Sequence, residues 1–135
     1  MLGFGVNPTA YRSPSWKKWI KLITQGGAIM ELKKAAIIPD VGSKLIRSKG
    51  FNLTDEEVMA INQCFHSDQP PETIRASGCT YCLKSACQEQ VVAFNGGRYL
   101  IVSKTKSIII VAVCESKAKL SAASTWLLRI ASSIS

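Results

Sequence analysis

Between Thr73 and Cys114 the chain breaks into five short segments of strand composition: Thr73 to Ala76, Cys79 to Leu83, Gln90 to Phe94, Tyr99 to Ser103 and Ile108 to Cys114. Ser77-Gly78, Asn95-Gly96-Gly97 and Lys104 to Ser107 stand among them as turn or loop sequences. Phe94-Asn95-Gly96-Gly97-Arg98 is the sharpest signal, because Asn-Gly accepts the positive backbone angles that a tight hairpin turn demands. These segments are expected to form one antiparallel meander, and whatever else the chain contains must cover it.

What precedes the meander supplies further elements. Ser13-Pro14 is a helix start, with Ser13 as N-cap and Pro14 at the first helical position, and Gly26-Gly27 is the stop, so a first helix is expected over about Pro14 to Thr24. On that helix Trp16 and Trp19 share one face with Ile20 and Ile23, while Lys17, Lys18 and Lys21 fall elsewhere. Ala28 to Lys34 could hold another helical turn. Ala35-Ala36-Ile37-Ile38 is a buried strand ended by Pro39-Asp40; a turn over Asp40 to Ser43 leads to a returning strand, Lys44 to Ser48. Thr54 and Glu57 form a capping box, with acids in the first turn, and open a second helix over about Asp55 to Phe65 with Val58, Ile61 and Phe65 facing inward. Ser67 to Glu72, with Pro70-Pro71, is a loop. At the other end Leu120, Ala123, Trp126, Leu127, Ile130 and Ile134 recur at helical spacing and give a terminal helix with one apolar stripe. The two end helices are then available to lie side by side on one face of the sheet.

A chain of 135 residues fits one domain, expected here over 15–135, with residues 1–14 as a flexible extension rich in Gly, Pro, Asn and Ser. The longest apolar run, Ile108 to Cys114, is far short of a membrane span, and the opening residues lack the basic start and apolar centre of a secretory signal. A soluble, cytoplasmic protein is expected. Seventeen Lys and Arg against nine Asp and Glu give a net charge of +8, which favours acidic partners. The charge is spread, with no basic block and no aromatic-basic strand signature, so nucleic acid is not the expected partner.

Enzymatic chemistry finds little to work with. Cys79, Cys82, Cys87 and His66 could supply zinc ligands, but residues three apart on a strand point to opposite faces, and buried small hydrophobes are the preferred reading of these cysteines. Reduced thiols are expected. His66 is the single histidine, just past a helix end, and Asp55-Glu56-Glu57 are explained by their place in a first helical turn. Asn95-Gly96-Gly97-Arg98 is a hairpin, not a strand-to-helix phosphate cradle. No enzyme, cofactor or metal is expected.

The order of elements, with the residues that mark it, resembles a profilin. Trp16-Lys17-Lys18-Trp19-Ile20 followed by Gly26-Gly27 is similar to the family's opening motif. Ala35 to Ile38 is similar to its first strand, Gly50-Phe51-Asn52-Leu53-Thr54 with Glu57-Val58 to the start of its internal helix, and Ser103 to Ile110 to its penultimate hairpin. The resemblance covers roughly 15–135 and implies an α+β fold: a central antiparallel sheet of about six to seven strands, N- and C-terminal helices on one face, and a short helix or helices on the other. It also implies a function, binding of monomeric actin to regulate polymerisation, in a protein that is itself monomeric and cytoskeleton-associated.

Carried over by position, Lys84, Lys117, Lys119, Ser121, Ser124, Thr125 and Arg129 would meet actin. Trp16 and Trp19 match the proline-stacking aromatics of the first helix, and Lys17, Lys18, Lys21, Lys104 and Lys106 could make a basic surface for phosphoinositide headgroups. A further family Trp falls at about Leu45, and Ser132, Ser133 and Ser135 replace the terminal aromatics, so half of the proline groove is missing. Arg129 stands where animal members carry an acidic residue. These departures suggest a divergent member of archaeal or protist type. Two other readings compete with actin binding: a dimeric roadblock- or longin-like scaffold docking on a small GTPase, and an adaptor for anionic membranes.

Overall fold

A computed structural model of the chain describes residues 18–26, 32–39, 46–48, 50–65, 69, 71–105 and 108–134. The arm expected at 1–14, Trp16, Lys17, the turn at Asp40 to Ser43, Leu45, His66, Lys106 and Ser135 fall outside the described residues; of the helical turn expected over Ala28 to Lys34, residues 32–34 instead begin a strand.

The strands are β1 (Leu32–Pro39), β2 (Ile46–Arg47), β3 (Thr73–Ala76), β4 (Cys79–Ala86), β5 (Gln90–Asn95), β6 (Arg98–Lys104) and β7 (Ile108–Cys114). They form one seven-stranded sheet in the order β2-β1-β7-β6-β5-β4-β3, every pair antiparallel. The meander from β3 to β7 is as its turns require: Ala76 faces Cys79 across Ser77-Gly78, and Asn95 faces Arg98 across Gly96-Gly97. Ser77, Gly78 and Gly96 all have positive φ, at 50°, 81° and 60°, as two-residue hairpin turns demand. The N-terminal β-hairpin then joins the far side, β1 pairing with β7 from Leu32 against Cys114 to Pro39 against Ile108.

Helices cover both faces, which is why β7 reads as an unbroken apolar run and is buried at all seven positions. The first helix, α1, occupies residues 18–26 and widens into a π-helical turn over Leu22–Gly26. It packs on β1, and α3 (Leu120–Ile134) packs on β6 and β7. Ile20 and Ile23 of α1 and Ala123, Leu127, Ile130 and Ala131 of α3 share one core cluster with Leu32, Ile37, Ile101, Ile110 and Cys114. Trp19 and Trp126 lie half-buried against that cluster, so the expected side-by-side placement of the end helices on one face is realised. On the other face α2 (Asp55–Gln63) contributes Ile61 to a second cluster with Phe51, Ile74, Tyr81, Leu100, Val102 and Val111. Val58 and Phe65 of the expected inward face are only half-buried, while Glu57 is buried.

Three expectations need correction. β4 runs on to Ala86 instead of ending at Leu83, with a register shift between Leu83 and Ser85 that places Lys84 in a bulge. Its burial pattern alternates at first and then turns wholly exposed, so polar Lys84 and Ser85 sit on a strand without violating its pattern. The cysteines of this region are not buried hydrophobes: Cys82 and Cys87 are exposed and Cys79 is half-buried, whereas Cys64 and Cys114, in the two clusters, are buried. Helix α2 ends at Gln63, with Cys64 as its C-cap, because the backbone N–H groups of Cys64 and Phe65 tighten to bond the carbonyls three back.

Candidate functional site

One surface gathers most of the candidate residues. Helix α3 lays its buried stripe on the sheet and turns Ser121, Thr125 and Arg129 to solvent; Lys117 and Lys119, in the turn before it, are exposed too. The Ser116 side chain accepts from the Lys119 N–H at 3.3 Å and the Lys119 carbonyl accepts from Ala123 at 2.9 Å, which fixes how the helix starts. Thr125 Oγ1 donates to the Ser121 carbonyl at 3.1 Å, leaving its methyl group as the outward contact.

The sheet places Lys84 on the same face. Its Nζ lies 5.8 Å from the centre of the Tyr99 ring, a cation-π distance, and Tyr99 belongs to the cluster beneath α1 and α3. Phe94 pairs across β6 with Tyr99 and across β4 with Cys82, and is 40 % exposed. Sequence reasoning placed Phe94 in a strand and passed over it. Its signal was the alternation from buried Val92 to a second large apolar residue beyond the reach of α3.

Ser124 is half-buried on α3, and its backbone carbonyl takes part in a polar link to the sheet. The Gln90 side-chain amide donates to the Ser124 carbonyl at 3.0 Å and to Ser103 Oγ at 2.9 Å, and Ser103 is fully buried. This polar link joins α3 to β5 and β6. A buried hydroxyl inside an apolar strand was the local sign of it.

The basic set does not converge. Lys18 and Lys21 are exposed on α1, over one face of the sheet. Lys104 points to the other face, where its Nζ is 5.7 Å from the centre of the Phe65 ring. Of the tryptophan pair, Trp19 is half-buried against the core beneath α1 and α3, and among the described residues the one buried side-chain polar atom without a partner is the Trp126 indole nitrogen.

The strongest polar constellation is structural. Glu57 Oε1 accepts from the N–H of Thr54 at 3.0 Å and of Ser77 at 3.1 Å, and Oε2 accepts from Gly78 at 3.1 Å. Thr54 Oγ1 accepts from the Glu57 N–H at 3.1 Å, completing the capping box. Burial pushes the Glu57 carboxyl up, but the three backbone donors and Arg75, at 3.8 Å, outweigh it and hold it below its ordinary value. Among the described residues no cluster of His, Cys, Asp or Glu could hold a metal ion, and no helix is long and apolar enough to cross a membrane.

The profilin family model matches residues 14–134. No curated protein matches the sequence. Among solved structures, the chain is similar to Acanthamoeba castellanii profilin IB, with a TM-score of 0.78 at 20 % identity, covering 88 % of this chain and 95 % of that one. It is similar to Schizosaccharomyces pombe profilin, with a TM-score of 0.68 at 21 % identity over 85 % of this chain and 98 % of that one. It also resembles LokiProfilin1, solved in complex with rabbit actin, with a TM-score of 0.76 at 12 % identity over 90 % of this chain and 94 % of that one. The match over nearly the whole chain and the helix-covered antiparallel sheet agree, and the chain belongs to the profilin family.

Proposed function

We propose that this profilin binds monomeric actin and thereby regulates its polymerisation, through the face made by the start of α3 and the exposed part of β4 and β5. What supports the reading is family membership together with the exposure of Lys84, Lys117, Lys119, Arg129 and Phe94, with Lys84 over the Tyr99 ring that pairs with Phe94 and α3 packed on the same face of the sheet. An aromatic centre with a charged rim is the anatomy of a docking surface: the ring supplies burial, while the lysines steer an acidic partner and fix its register. Ser121 and Thr125 lie within the same helix face. LokiProfilin1, of similar fold, has been solved with rabbit actin, which supports an actin monomer as the partner. The protein acts without a chemical step, as a monomer, in the cytoplasm at the actin cytoskeleton.

Proline-rich segments are a second ligand class for this reading, supported by Trp19, which is half-buried on α1 against the core cluster. Trp16 would be the other aromatic. Anionic headgroups would meet Lys18 and Lys21 on α1, with Lys17 as the third member of that group and Lys104 and Lys106 apart from it. Actin ranks first because Ser132, Ser133 and Ser135 stand where the family's proline groove has aromatics, so half of that groove is missing.

The test is polymerisation of a cognate actin with and without the protein. Slowed nucleation and a saturable complex with the monomer are expected, and Lys119→Glu should weaken both. An actin that neither binds nor polymerises more slowly defeats the reading.

A further inference from the structure

Among the described residues three large apolar side chains are exposed: Phe94, which the proposed actin face takes up, Leu22 on α1, at 41 %, and Met59 on α2, at 63 %. The last two stand on helices that cover opposite faces of the sheet. A single exposed apolar residue is ordinary on a protein surface. What distinguishes these two is the charge around each.

On α1, Lys18 lies one turn before Leu22 and Lys21 within the same turn, and both are exposed. On α2, Asp55 and Glu56 lie four and three residues before Met59. Both acids are exposed too, because the helix turns Glu57 and Ile61 toward the protein. Among the described residues none of these four charges is in an ion pair. The two helix faces therefore share one layout with opposite sign: an apolar side chain, a charge one turn before it and a second charge beside them. Laid together in the same direction, Leu22 meets Met59 while Lys18 and Lys21 meet Asp55 and Glu56. The chain as a whole carries +8, so two copies repel at a distance, and a basic helix is received only where acid is concentrated. Helix α2 is such a place, since its first turn holds Asp55, Glu56 and Glu57 of the chain's nine acidic residues.

We propose that the α1 face around Leu22 docks on the α2 face around Met59 of a second copy of this chain. The two faces differ and lie on opposite sides of the sheet, so the contact is heterologous, and a copy bound through α1 still offers its α2 to another. Each side is one short helix face, with less area than the about 1,200 Å² that a stable complex buries, so the contact is weak and leaves dilute protein monomeric. Half-association is expected on the order of a few hundred micromolar. Anionic headgroups would compete with it for Lys18 and Lys21. The contact uses neither Lys84, Phe94 nor the residues of α3 proposed to meet actin, and it stands or falls apart from that reading.

The test is sedimentation equilibrium of the full chain from about 10 μM to about 1 mM in about 0.1 M salt at neutral pH. Reductant is present, so that exposed Cys82 and Cys87 form no crosslinks. The weight-average mass of the wild type should rise with concentration. Leu22→Glu sets an acid against Asp55 and Glu56, and Met59→Lys sets a cation against Lys18 and Lys21. Each replaces an exposed side chain, so each variant should keep its melting temperature and stay monomeric across the range. An equimolar mixture of the two should associate again, because it brings an intact α1 face to an intact α2 face, and Phe94→Ala should associate as the wild type does. A wild type that stays monomeric throughout, association unchanged in either variant, a mixture that does not recover, or loss of association in Phe94→Ala overturns the proposal.

Discussion

Replacing Glu57 by Gln tests how the two halves of the fold are joined. The carboxylate caps α2 through Thr54 and also receives the turn between β3 and β4, through Ser77 and Gly78, 20 and 21 residues away. Gln keeps one acceptor oxygen, so the Thr54 and Ser77 bonds survive as weaker neutral ones, losing about 1 kcal/mol each at most. The other oxygen becomes an NH₂ group facing the Gly78 N–H, which loses its bond and leaves two donors opposed, about 1–3 kcal/mol. Arg75 is 66 % exposed, so its contribution is screened and adds little. The sum is about 1–5 kcal/mol, and for a chain of this size a midpoint lowered by about 4–20 °C. Urea unfolding followed by tryptophan fluorescence at pH 7 and at acid pH measures it. The folded carboxyl has a pKa below its ordinary 4.5, so its stabilisation is fully present above that value and is lost as pH falls through the lowered one. The difference between wild type and variant should therefore be largest at neutral pH and shrink in acid. A loss at pH 7 below about 0.5 kcal/mol, the scatter of ordinary surface substitutions, would refute this account of the junction.

Gln90→Ala should destabilise by about 1–3 kcal/mol, because it strands the buried Ser103 hydroxyl and frees α3 at Ser124; thermal melting reads the first effect and weakened actin binding the second. Phe94→Ala should cut actin affinity by about tenfold or more with little change in melting temperature, since a 40 % exposed ring adds more to an interface than to the core; equal actin binding would remove Phe94 from the site. Charge reversal at Lys119 should weaken actin binding by on the order of 1 kcal/mol and make it less sensitive to salt, measurable as a slower association rate at low ionic strength. A proline-rich peptide should quench or shift Trp19 fluorescence in the wild type and leave Trp19→Phe less responsive; an unchanged spectrum at saturating peptide counts against a proline site on α1.

Elements whose signals are local were legible in the sequence. The capping box at Thr54 and Glu57, the Asn95-Gly96 turn and the spacing of Ala123, Leu127 and Ile130 each act within a few residues, and each forms where expected. The run from Ile108 to Cys114 disclosed a strand but not that it lies beside β1, because that pairing joins segments about seventy to eighty residues apart. Glu57 was readable as a cap but not as the anchor of the β3–β4 turn, and Gln90 carried no mark of its bond to Ser124, 34 residues on. Cys82 and Cys87 were misplaced for a related reason: cysteine is usually buried, and only the sheet order shows that β4 lies near an edge with one side uncovered by a helix. For the candidate site, motif order pointed to Lys84 and α3, while the exposure of Phe94 and the split of the basic residues between two faces depend on which strand neighbours which.

The central claim is that the α3 and β4–β5 face receives an actin monomer. Its most direct test is sedimentation velocity of the protein with cognate monomeric actin, comparing wild type with a Phe94→Ala, Lys119→Glu double variant that retains its melting profile. A one-to-one complex with wild type, lost in the double variant, is the expected result. A complex of equal strength with both would contradict the assignment of this face.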